Sequence, residues 1–200
     1  MVEPYRLHIR QQVTMMVNQY WVAGADEQGT PTHLLAFAQQ KRMKLKEEIG
    51  FFTDNSRAER LFTMKSRQVI DMAATTDITG PHGELIGAFR KDAMKSLLNS
   101  TWHIQAGTVA ATGRERSQNV AIARRFAEWI PIVGGVLEVI PWQFHFDFVD
   151  PQGTTVLSVE RQRKVRDNYL LTVRPDSNGS LLDWRFAAAL GVALDAFQGR

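Results

Sequence analysis

The sequence predicts a mainly β (α+β) domain in which antiparallel hairpins surround a buried C-terminal helix. Three observations carry this: a strand–turn–strand pattern that recurs along the chain, a strictly alternating aromatic strand, and a closing segment with almost no polar face. The recurrence is plainest between "DITGPHGELIGAFRK" (77–91) and "DFVDPQGTTVLSVER" (147–161), which share an aspartate, Pro-x-Gly, an apolar run and a basic end at a constant offset of 70 residues. Pro81 and Pro151 pre-set φ in the turns, and Gly83 and Gly153 supply the positive φ that a hairpin demands. "ELIGAF" and "TTVLSV" follow as short β-rich strands. A weaker third copy runs through "GADEQGTPTHLLAFAQQKR", with the turn at Asp26–Gly29.

The alternating strand is "FHFDF", which puts Phe144, Phe146 and Phe148 on one face and His145 and Asp147 on the other, the period of a half-buried strand. "RLFTMKSRQV", "LLNSTWHIQAG" and "NYLLTVRP" read as further strands, so most of residues 5–110 and 143–174 is antiparallel β-structure. Two helices interrupt it. Arg116–Ile130 is amphipathic, with Val120, Ile122, Ala123, Phe126 and Ala127 set against Arg124, Arg125 and Glu128. The second, about 182–197, is apolar all round and must be buried all round, and its "AAALGVA" run makes it slim enough for strands to wrap closely. Asp183 stands where an N-cap belongs.

A chain of 200 residues suits one domain spanning 1–200, with an insertion at about 114–142. A formal charge of +3 favours anionic partners mildly. The absence of cysteine excludes disulfides, thiolate nucleophiles and thiolate metal sites. "MVEPYRLHIRQQ" has no signal-peptide character, and both "WIPIVGGVLEVIPW" and "LLDWRFAAALGVALDAF" fall short of the roughly 20 apolar residues that span a bilayer. The expectation is a cytoplasmic protein without a transmembrane segment, peripheral at the inner membrane face.

A β-rich chain with repeated hairpins and one slim apolar helix at its end resembles the tubby C-terminal-like superfamily. Within it, "DITGPHGELIGAFRKDAMKSLLNSTWHI", "FHFDFVDPQGTTVLSVERQRKVRDNYLLTV" and "LDWRFAAALGVALDAF" resemble the LURP-one-related and phospholipid scramblase-like proteins, bacterial members among them. The resemblance implies a closed antiparallel β-barrel wrapped around the C-terminal helix, with no room for a lipocalin-like internal ligand. It also implies a phosphoinositide binder, a membrane-associated regulator or a lipid scramblase, and it brings no catalytic signature. Scramblase-like relatives carry an acidic stretch implicated in calcium binding before the last helix. The stretch here is "RPDSNGSLLD", whose Asp176, Asn178, Ser180 and Asp183 lack the spacing of an EF-hand and read as a polar helix-entry turn.

No phosphate loop, GxSxG elbow, HExxH pair or placed acid pair is present, so no catalytic residue, metal ligand or cofactor is assigned and the expectation is a non-enzymatic domain. His145 and Asp147 share a strand face and could share a proton or ligand, but an outward polar row looks the same. Glu47 and Glu48 are adjacent and would diverge.

Basic residues cluster more suggestively. Lys44 with Lys46, Arg90 with Lys91, and Arg161 with Arg163 are the candidate ligands of an anionic headgroup, and residues two apart on a strand share a face. The plain alternative is a solvated edge that resists strand pairing. The loop bounded by Trp129 and Trp142 is the candidate membrane or partner contact. Two functions follow: binding of anionic phospholipid or phosphoinositide at a membrane surface, or a protein-interaction scaffold that self-associates through residues 129–142. Nucleic acid is the weaker partner, because the basic clusters lack interleaved aromatics for base stacking.

Overall fold

The structure, a computed structural model, describes residues 2–41, 48–67, 75–92, 101–116, 145–162 and 168–198. Twelve strands form a closed barrel: β1 (Tyr5–Val13), β2 (Val17–Ala25), β3 (Pro31–Lys41), β4 (Ile49–Phe52), β5 (Arg60–Ser66), β6 (Thr75–Thr79), β7 (Leu85–Lys91), β8 (Trp102–Ala106), β9 (Val109–Glu115), β10 (His145–Val149), β11 (Thr155–Arg161) and β12 (Asn168–Val173). Each pairs antiparallel with its neighbour in the chain, and β1 closes the ring against β12 through pairs such as Leu7 with Leu171. Closure leaves no sheet edge to template aggregation. The amphipathic helix expected at Arg116–Ile130 lies outside the described residues, as does Phe144.

One unit of four strands is used three times. The hairpins β2–β3, β6–β7 and β10–β11 turn through "DEQGT", "GPHGE" and "DPQGT", and the register slips in the last residues of β2, β6 and β10 alike. A bulge there adds twist, as curving a sheet into a barrel requires. Within each turn the first N–H donates to the fifth carbonyl and the fourth N–H to the first carbonyl, with a positive-φ glycine at the fourth place. In the first and third copies Asp26 Oδ1 and Asp150 Oδ1 each accept two further backbone N–H bonds, from the residues two and four ahead. "DSNGS" (176–180) repeats this geometry before the helix, so the Asp176 carboxylate is spent on the backbone of a helix-entry turn.

The middle copy has no aspartate at its first place. Glu84, at the fifth, reaches back to accept the His82 N–H at 3.1 Å. A Cβ on Gly80 would sit 1.7 Å from Glu84 Oε1, so the glutamate carboxylate occupies the space that an aspartate side chain would use.

Inside the barrel lies α1 (Trp184–Gln198). Phe186–Leu190, Val192 and Ala193 are fully buried among Leu7, Ile9, Phe62, Ile78, Phe146, Phe148 and Leu171 of the wall. Its thinness is needed: a Cβ on Gly191 would come within 2.6 Å of Ile9, and one on Gly87 within 2.7 Å of Phe186. Asp183 caps the helix as expected, accepting the Arg185 N–H at 2.8 Å.

All three tyrosines of the chain hold this helix. The Tyr5 hydroxyl donates to the Leu182 carbonyl at 2.7 Å beside the helix entry, while the Tyr20 and Tyr169 hydroxyls both donate to Asp195 near its exit. Burial, together with the nearby carboxylates of Asp183 and Asp195 respectively, pushes the Tyr5 and Tyr20 phenols far above their ordinary range.

Candidate functional site

An up-and-down barrel sends every second connection to the same end. The turn end holds connections 26–30, 53–59, 80–84, 107–108, 150–154 and the helix entry 174–183. Together these carry eight carboxylates against two arginines. The opposite end joins strands through 14–16, 42–48, 67–74, 92–101, 116–144 and 162–167, which carry eleven lysines and arginines against seven acids. By sequence the turn-end connections total −6 and the segments joining strands at the other end +4, and among the described residues β7, β9 and β11 end there in Arg90, Lys91, Arg114 and Arg161.

The candidate residues Lys44, Lys46, Arg163, Trp129 and Trp142 lie outside the described residues. Each falls in a segment that joins two strands at the basic end. Arg90, Lys91 and Arg161 are described, at the last or next-to-last places of β7 and β11. Arg90 points outward, with Nη2 3.7 Å from the Asp92 carboxylate. Lys91, next to it, belongs to the inner face at the rim, where its Nζ stands 5.6 Å from the Trp102 ring centroid. Burial pushes the Lys91 ammonium below its ordinary range, and among the described residues no carboxylate pairs with it. Arg161 is its counterpart at the 70-residue offset and faces Tyr169 across the ladder, as Lys91 faces Trp102.

On the outer wall a groove of about 860 Å³ crosses β6 to β10 and runs from Arg90 and Arg116 at the basic end to Asp150 and Pro151 at the turn end. Ala88, Ala110 and Thr112 make its shallow floor, since small outward side chains leave the wall open there, and Arg90, His103, Arg114 and Arg116 stand around it. His103 is held between Asp92 Oδ2, 2.8 Å from Nε2, and Thr112 Oγ1, 3.4 Å from Nδ1. The hydroxyl contact is at the outer limit of a hydrogen bond and suits an orienting role better than nucleophile activation.

Arg116 makes a two-pronged pair with Asp147 at 2.6 and 2.7 Å and reaches Glu160 at 3.0 Å. Arg67 makes the same fork with Asp77 at the equivalent place of the middle unit, at 2.7 and 2.8 Å. Each arginine stands two residues past the ladder partner of its aspartate, and in the first unit that place holds Arg10, whose guanidinium lies 4.7 Å over the Trp21 ring. The Arg116 hydrogen bonds hold the Asp147 carboxyl below the usual range against the opposing effect of burial. Asp147 is therefore committed to Arg116.

Arg114 is different. Its ladder partner is Asp147, yet that carboxylate is taken, and Arg114 is exposed with no ion pair among the described residues. The sequence reading passed over it, although "GRERS" puts Arg114 and Arg116 two apart on one strand end, the spacing that was used elsewhere. The cluster Arg60 and Lys65, by contrast, is neutralised by Glu48 at 2.8 and 3.8 Å.

Comparison with known families decides the identity of the fold: the family model described as LURP-one-related matches residues 35–195, from the middle of β3 to the exit of the central helix. The chain belongs to the LURP-one-related family. No curated protein sequence matches it. In this LURP-one-related barrel the matched span takes in the groove, both arginine–aspartate forks and the rim residues Lys91 and Arg161, and leaves the β1–β2 hairpin outside. Among the described residues there is no cluster of metal-ligating side chains, and no helix long and apolar enough to cross a membrane.

Proposed function

We propose that this LURP-one-related protein is a non-enzymatic module that binds anionic phospholipid headgroups, phosphoinositide-like, at a membrane surface, and that it does so with the basic end of its barrel. The observation that carries the reading is the set of cations with which β7, β9 and β11 end, Arg90, Lys91, Arg114 and Arg161, opposite a turn end rich in carboxylates, an asymmetry that would orient the molecule toward a negative surface. Lys91 adds to it: a half-buried ammonium beside an aromatic ring and without a carboxylate partner is stabilised when a phosphate arrives. Arg90 and Arg161, with Lys44, Lys46 and Arg163 from the neighbouring connections, are the proposed headgroup ligands, and Trp129 and Trp142 the proposed interfacial contacts. The protein would be cytoplasmic and peripheral at the inner face of the membrane.

Each basic contact near a charged bilayer contributes about 1 kcal/mol and decays over about 8 Å at physiological salt. Binding is therefore modest and salt-sensitive. The test is vesicle sedimentation on phosphatidylcholine, phosphatidylserine and phosphoinositide vesicles at two salt concentrations. Phosphatidylcholine should retain little protein, and Arg90→Ala/Lys91→Ala and Arg161→Ala/Arg163→Ala should each weaken retention on the charged vesicles about thirtyfold. Equal, negligible retention on all three refutes the reading. Growth of light scattering with protein concentration in that case favours the alternative, a scaffold that self-associates through residues 129–142.

A further inference from the structure

The β1–β2 tip is the one connection of the basic end that carries no charge: Thr14, Met15 and Met16. Met15 is 92% exposed, Met16 74% and the preceding Val13 48%. Elsewhere among the described residues, large apolar side chains this exposed are few and scattered: Val2, Leu34 and Leu85. Three contiguous ones on a hairpin tip form a small apolar point without a packing role. The ladder runs up to the tip, with Val13 opposite Asn18 on β2 and Val17 opposite Lys41 on β3.

The tip is braced from within. The Thr14 N–H donates to the Val17 carbonyl at 2.9 Å, the Thr14 hydroxyl donates to the same carbonyl at 2.8 Å, and the Val17 N–H donates to the hydroxyl oxygen at 3.1 Å. Polar groups satisfied inside the turn need not be stripped of water bonds when the turn enters a less polar medium. Methionine suits such a contact, being unbranched, flexible and polarisable.

Resting on the headgroup reading above, we infer that Val13, Met15 and Met16 form a finger that inserts into the apolar boundary of an anionic bilayer while the surrounding basic side chains meet its phosphates. Charge complementarity selects this occupant. The finger stands on the end where β7, β9 and β11 finish in Arg90, Lys91, Arg114 and Arg161, and it lacks the broad apolar face that a stable protein dimer buries.

The lack of cysteine makes the test clean, since a single introduced thiol takes the label alone. Met16→Cys and, at the turn end, Gln152→Cys are each labelled with an environment-sensitive fluorophore and mixed with phosphatidylserine-containing or pure phosphatidylcholine vesicles, with sedimentation run in parallel. The finger predicts a blue shift and brighter emission for the label at 16 on phosphatidylserine vesicles and no change for the label at 152. In unlabelled full-length protein, Met15→Asp/Met16→Asp should keep the wild-type melting temperature, because these side chains are largely solvent-exposed, and lose about tenfold of the binding that survives high salt. Sedimentation with an unchanged label at 16 overturns the finger and leaves headgroup binding standing. No sedimentation on any vesicle overturns the headgroup reading and the finger with it. A shift at 16 that grows with protein concentration in the absence of lipid overturns the finger in favour of contact with a second copy.

Discussion

The two ends of the barrel solve the same problem, joining strands, in opposite ways. At the turn end the connections are short, and carboxylates serve as backbone acceptors: Asp150 takes N–H bonds from Gln152 and Thr154 on one oxygen and from Ser177 on the other, tying a hairpin to the helix entry. At the basic end the connections are mostly longer, rich in lysine and arginine, and one ends in bare methionines. The helix mirrors the contrast. Its entry is held by a cap and one tyrosine-to-carbonyl bond, its exit by one carboxylate shared between two phenols. Acidic groups spent on the backbone serve the fold, whereas Lys91, half-buried beside Trp102, has no carboxylate partner among the described residues.

The sharpest break of this comparison removes what both ends hold. A chain ending at Gly179, or Leu190→Asp, should lose cooperative folding, because the inward wall faces lose their filling or face a buried unpaired charge. A soluble truncation with one sharp melting transition would contradict the architecture.

Next in size is the exit. Asp195→Ala strands two largely buried hydroxyls and should cost about 1–3 kcal/mol, against about 1 kcal/mol for Tyr20→Phe or Tyr169→Phe, read as melting temperature at about 2–4 °C per kcal/mol. A double-mutant cycle between Tyr20 and Asp195 should show coupling, and additivity would mean that the pair is not a unit.

The entry should be weaker. Asp183→Ala removes a cap that contributes about 1 kcal/mol. Burial tends to raise the Asp183 carboxyl, but Arg185 and its N–H outweigh this and hold it low, and the backbone bonds to Asp150 do the same there. Such depressed carboxyls contribute fully above their unfolded value of about 3.9, and the contribution is lost as pH falls through the folded value. Phenols with raised values, Tyr5 and Tyr20, contribute fully below about 10, and stability falls as pH rises beyond it because the unfolded chain ionises first. Melting curves from pH 2 to 11 should show an acid limb that flattens in Asp183→Asn and an alkaline limb that flattens in Tyr20→Phe.

The smallest effect belongs to the middle turn. Gly80→Asp brings a second carboxylate to the place of Glu84 and should cost under about 1 kcal/mol, since the glutamate end can swing away. Adding Glu84→Thr recreates the "D-P-x-G-T" form of the 150–154 turn and should restore the loss. If it does not, the two turns are alike in backbone alone.

Turn chemistry, the alternating phenylalanines and the all-round apolar helix are local properties, which is why the hairpins, the inward faces and the buried core could be read from the sequence. Each rests on residues a few places apart. The Arg116–Asp147 fork and the tyrosines on Asp195 join residues far apart in the chain that only tertiary pairing brings together. The end at which a basic cluster emerges depends on something subtler, the parity of the strand count. "IGFF" and "VAATGRE" form β4 and β9, yet the first is only four residues long and the second is rich in alanine and glycine, so neither shows the pattern that marks a strand. Missing a single strand moves every later connection to the opposite end of the barrel. The sequence by itself thus determined the building unit and its core, while the gathering of the basic connections at one end, beside Met15 and Met16, was decided by twelve strands pairing in one closed ring.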